Sequence, residues 1–81
     1  MHHPAKIARR EFSRFTETDR DRIAEAIVTY LAASPTPTDA IVIAAACRLG
    51  FHAIGCSYHD LRAAEVAEVQ AIAEAVAEAS R

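Results

Sequence analysis

The chain has 81 residues, 52% of them hydrophobic, and a formal net charge of −2. That length excludes a multidomain enzyme with a deep pocket, and two cysteines exclude a disulfide-dense secreted module. A near-neutral charge gives no global attraction to nucleic acid or to an anionic membrane.

Nineteen residues are alanine, leaving 21 large apolar side chains and two cysteines to fill a core. Alanine buries little surface but has the best helix propensity. The composition therefore favours closely packed helices, a protomer completed by a partner, or both, in an all-α protein. No apolar run reaches the ~18 residues a membrane span requires. No signal-like apolar stretch with a small-residue cleavage site follows Met1, so a reduced, cytoplasmic protein is expected.

Residues 1–15 form a basic arm or short helix, carrying Lys6, Arg9, Arg10 and Arg14 against Glu11. Residues 16–81 form a single helical domain with five arginines against ten acids. Charge asymmetry of this kind marks an interaction arm. Arg9, Arg10, Phe12, Arg14 and Phe15 are the candidate protein-binding residues, since aromatics and arginine anchor interfaces.

The first main helix is expected over 18–33. Thr16…Asp19 and Thr18…Asp21 both have capping-box spacing, and Ile23, Ile27, Tyr30 and Leu31 then share one face. Ser34-Pro35-Thr36-Pro37 ends it. A second helix is expected over 37–49, with Thr36 as cap, Pro37 at the first helical position and Gly50 as the stop. Its run from Ala40 to Cys47 is apolar on every side, which predicts a helix buried at the centre of the fold.

Ser57 and Asp60 have capping-box spacing for a third, long helix over 57–79. One of its faces carries Leu61, Val66, Val69, Ile72 and Val76, interrupted by Glu65 and Glu68. Another carries Ala63, Ala67, Ala71, Ala75 and Ala79 at four-residue spacing. Small side chains in a row admit a second helix at close range, so Ala63, Ala67, Ala71 and Ala75 are the expected dimer seam. The expected architecture is thus a three-helix bundle, or four with the N-terminal helix, that has a buried central helix and an Ala-rich C-terminal helix.

Three patterns test for chemistry. Cys47, His52, Cys56 and His59 supply two thiols and two imidazoles, a set that suits tetrahedral zinc, but their spacing matches neither a Cys-x2–4-Cys nor a His-x3–5-His pair. No metal or cofactor is expected. His52, Cys56, Ser57, His59 and Asp60 offer catalytic residue types without a pocket-forming chain around them, and no phosphate-binding glycine pattern is present, so no enzyme is expected.

The third pattern is Ala46-x-x-x-Gly50 flanked by Leu49 and Phe51, which resembles the first helix and turn of a helix-turn-helix. The resemblance covers residues 42–61 and departs at Gly55 and at Cys56, where a bulky aliphatic is usual. It implies a DNA-binding transcriptional regulator that uses residues 42–62, with His52, Ser57, His59 and Arg62 facing outward and the basic arm on the backbone. Asp60, Glu65 and Glu68 oppose the phosphate attraction that dominates such affinity, so nucleic acid is not the favoured partner. The favoured reading is a small non-enzymatic protein-binding module acting through helical surfaces as a homodimer, in the manner of a regulator, adaptor or phage-type inhibitor. Its partner is another protein, with no membrane involved.

Overall fold

The structure is a computed structural model that describes residues 13–57 and 60–80. The described residues form three α-helices and no strand: α1, Glu17–Ala32; α2, Ala40–Ala53; and α3, Ala63–Ala79. The expected short helix in the leader falls outside the described residues. Among them, no helix is long and apolar enough to cross a membrane.

α1 starts with the first of the two capping boxes. The Asp19 amide donates to Thr16 Oγ1 at 3.1 Å, and the Thr16 amide donates back to Asp19 Oδ2 at 3.0 Å. Ile23, Ile27 and Leu31, spaced four apart, are fully buried. Tyr30 is half-buried against the same cluster.

α2 begins three residues later than expected. Asp39, not Thr36, is the cap: its Oδ1 accepts from the amides of Ile41 at 2.8 Å and Val42 at 3.4 Å. Thr36 instead uses its carbonyl to hold Asp39 in a turn, at 3.1 Å. At the other end, the helix runs through Gly50 to Ala53. The stop is Gly55, whose φ of +67° is the left-handed value that favours glycine. Its amide donates to the His52 carbonyl at 3.0 Å and that of Cys56 to the Phe51 carbonyl at 3.0 Å, the paired bonds of a Schellman motif. Gly50 has another task. It is buried against α1, and a Cβ there would lie 3.0 Å from Ile23 Cγ2 and 3.5 Å from Ile27 Cδ1.

The expectation that α2 is covered on most sides is overturned. It buries Ala46, Cys47, Gly50 and Phe51, but Ile41 is 80% exposed and Leu49 is 41% exposed. Each of the three helices packs against the other two, so each keeps an outward face. The core is Phe15, Ile23, Ile27, Leu31, Ala46, Cys47, Phe51, Val69, Ala73 and Ala77.

α3 starts at Ala63 rather than near Ser57. Its first turn is closed by Glu65, whose Oε1 accepts from the Arg62 amide at 2.9 Å. The Arg62 side chain has no acceptor, so this is half of a capping box. The seam that α3 turns inward is Glu65, Val69, Ala73 and Ala77, one residue in every four.

Candidate functional site

The segment before α1 is clipped to α3. Arg14 Nε donates to Glu65 Oε2 at 2.6 Å and Nη2 donates to Oε1 at 3.2 Å, a two-pronged ion pair; Nη2 also reaches the Asp60 carbonyl at 3.1 Å. The Arg14 amide adds a longer contact of 3.4 Å to Oε2. Glu65 is 1% exposed, yet its carboxylate meets donors on both oxygens. The Arg14 guanidinium, then burial acting the other way, then the backbone donors set its pKa, which falls from 4.5 to about 2. One turn on, Arg20 of α1 pairs with Glu68, and that carboxyl is also lowered, first by Arg20. The two glutamates that break the apolar pattern of α3 therefore tie it to α1 and to the segment before it.

This placement bears on the expected binding set. Arg14 is engaged with Glu65, although its side chain stays 51% exposed. Phe15 lies in the core at 8% exposure and offers no exposed anchor. Arg9, Arg10 and Phe12 lie outside the described residues.

The DNA-binding set is not assembled as the motif requires. His52, Ser57 and Arg62 are exposed, and His59 lies outside the described residues. Gly50 sits within a continuous helix where the motif needs its turn, and Ser57 lies in the connection rather than on α3. Of the metal set, His59 lies outside the described residues, and His52 and Cys56 line one space apart from the Cys47 thiol. Cys47 points its thiol at α3, donating weakly to the Val69 carbonyl at 3.9 Å and Gln70 Oε1 at 3.6 Å. Cys56 contacts the Ser57 carbonyl at 3.8 Å, and His52 is exposed. Among the described residues, no group of three or more His, Cys, Asp or Glu side chains is placed to hold a metal ion. Burial pushes both thiols up, helped by Glu74 at Cys47 and Glu65 at Cys56, so both are protonated near neutrality.

Concave surface is shallow. An open groove of about 590 Å³ between α1 and α2 is lined by Arg22, Ala26, Tyr30, Leu49 and neighbours. A space of about 100 Å³ between α2 and α3 and one of about 270 Å³ between α2 and the segment that follows it share Arg48 and Phe51, and the larger also touches His52, Cys56 and Ser57. Among the described residues, Val28, Ile41, Leu49 and Val66 are the large aliphatic side chains left exposed. On α3, Ala63, Ala67, Ala71, Ala75 and Ala79 are all exposed, so the expected dimer row takes no part in the chain's own core.

Comparison with known proteins finds no matching family model, no matching curated protein and no matching solved structure.

The site therefore rests on geometry alone, and one of its exposed surfaces is the outer face of α2. Ile41, Ala45, Arg48 and His52 are spaced 4, 3 and 4 apart, which aligns them along one side of a helix. Leu49 borders that line. The sequence did carry a signal for this face. Arg48 and His52 interrupt an otherwise apolar helix at adjacent turns, and polar side chains there mark the side turned to water.

Proposed function

We propose that the chain is a small non-enzymatic protein-binding module that works through its helical surfaces as a homodimer, as regulators, adaptors and phage-type inhibitors do. The observation that carries this reading is the uncovered outer face of α2, where Ile41 is 80% exposed and Leu49 41% exposed beside Arg48. Apolar side chains left in water next to an arginine are the ingredients of an interface anchor. The exposed alanine row of α3 supplies a second flat surface that accepts a helix backbone closely. The non-enzymatic part is supported by the direction of the pKa shifts. The thiols move up and the paired carboxyls move down, away from the range where acid–base or nucleophilic groups operate at neutral pH.

The test is site-specific photo-crosslinking in the native host, with the reactive side chain at Leu49 or at Ala71. Covalent adducts to a protein, confined to one of these faces, are expected. In parallel, random duplex is titrated at low salt. Salt-sensitive duplex retention without a protein adduct replaces this reading with the DNA-binding one, carried by His52, Ser57, His59, Arg62 and the basic arm.

A further inference from the structure

We infer that the outer groove between α1 and α3 is covered by the chain's own leader, residues 4–12, lying antiparallel to both helices. The inference goes beyond the protein-binding reading, because it fills one face of the molecule from within the chain.

The groove follows from the order of the helices. α2 is joined to each neighbour by a short connection and runs against both, so α1 and α3 run the same way. α2 takes one side of that pair. It meets α1 where Tyr30 and Leu49 line a common groove, and α3 where the Cys47 thiol reaches Gln70. On the other side, Arg20 pairs with Glu68. Arg20, Ala24 and Val28 lie four apart on α1, and Glu68, Ile72 and Ala75 lie four and three apart on α3, so the two rows stand abreast. Beyond the ion pair both rows are apolar and only partly covered. Ala24 and Ile72 are half-buried, Ala75 is exposed and Val28 is 47% exposed.

The point where the leader joins the described chain names the occupant. Arg14 is held on Glu65, and Ser13 lies beside Glu68, whose carboxyl it helps to lower. Going back from Arg14 to Ser13 therefore moves along α3 toward its C-terminal end, into the mouth of the groove. The length fits as well. Residues 4–12 as a helix are about 14 Å long, and Glu68 to Ala79 spans about 16 Å. The leader has a face to bury: Ala5, Ala8 and Phe12 are spaced three and four apart, with Lys6, Arg9 and Arg10 beside that row. Glu17 and Asp21 border the α1 row at the end where the leader enters, and neither is in an ion pair among the described residues. They supply the opposite charge for Arg9 and Arg10. Tethering favours this occupant over a second copy, since a joined segment is held at roughly millimolar effective concentration.

Amide hydrogen exchange of the native full chain tests the inference first. Residues 5–12 should exchange about tenfold or more slowly than a free peptide. Val28→Asp should return them to the free rate while α2 exchanges as before. Free-peptide exchange in the native chain overturns the inference, and so does protection that survives Val28→Asp. A disulfide race gives an independent reading in a background of Cys47→Ala and Cys56→Ser. At roughly 5 µM, far below the tethered concentration, Ala8→Cys should close onto Ala75→Cys several-fold faster than onto Ala67→Cys. Ala67 is exposed on the side of α3 turned away from Glu68 and lies nearer the leader in sequence, so an undocked leader would not favour Ala75. Equal rates overturn the inference. Preferential linkage between chains at Ala75→Cys overturns it too, and gives the face to a second copy. Protein adducts from Leu49 do not touch this groove, so the two readings fail separately.

Discussion

Gly50 and Gly55 lie five residues apart and are glycine for unrelated reasons. Gly55 needs a left-handed backbone, with nothing within 4 Å of the space a Cβ would take. Gly50 has ordinary helical geometry but no room beside Ile23. Asparagine separates the two demands, because it tolerates the left-handed region but needs space. Gly55→Asn should therefore cost less than about 1 kcal/mol, whereas Gly50→Asn should cost more than ~2 kcal/mol through overpacking and an amide forced against Ile23. Urea denaturation of the two variants checks the ranking, and equal costs would contradict it. Sequence reading placed the stop at Gly50 because the first glycine after an apolar run is the usual one. Close approach to a helix some 27 residues earlier in the chain leaves no local trace.

Glu65 presents the same difficulty in electrostatic form. A glutamate in an apolar pattern reads as an interruption, and its partner Arg14 lies 51 positions away. The folded carboxyl titrates at about 2, below its ordinary 4.5. A depressed carboxyl contributes stability that is fully present above 4.5 and is lost as pH falls toward 2. Unfolding free energy should therefore drop between pH 4.5 and 2, with Glu68 adding in the same direction. Glu65→Gln should flatten that slope while lowering stability at pH 7 by ~1–3 kcal/mol, since it leaves Arg14 and the Arg62 amide with a weaker acceptor. An unchanged pH slope in the variant would remove Glu65 from this role.

At the scale of elements, the existence of all three helices was legible and their starts were less so. α1 was read correctly because Thr16 and Asp19 cap each other within four residues and need nothing else. For α2, Thr36-Pro37 offered a good local start, but Asp39 competes with it using a charged acceptor and reaches two amides. Asp39→Ala should cost about 1 kcal/mol and Thr36→Ala close to nothing. A thermal-denaturation comparison that put the larger loss at Thr36 would restore the earlier start. For α3, Ser57 and Asp60 had suitable spacing, yet the helix begins at Ala63, after a residue with no capping side chain. What closes that turn is Glu65, itself held by Arg14, so the start is fixed by a tertiary contact that no local window contains.

In the whole molecule, α3 carries two alanine rows that face different ways. The alanines that bring α3 against its neighbours are Ala73 and Ala77, with Val69 between Glu65 and them on the inward seam. The evenly spaced row from Ala63 to Ala79 is outward. Regular spacing identified a face but not its direction, because alanine is equally at home in water and in a core. Among the described residues, the largest fully buried side chains are Ile23, Ile27, Leu31, Glu65 and Val69, a thin core for one chain. A weak second-copy contact then becomes a visible share of the total. A partner present at ten times its dissociation constant adds about 1.4 kcal/mol, and for a chain of this size each kcal/mol moves the thermal midpoint by roughly 4–8 °C. Raising the protein concentration about a hundredfold through the range in which the proposed homodimer forms should thus lift the midpoint by several degrees. A midpoint that ignores concentration in the native chain would mean that the thin core of one chain is sufficient by itself.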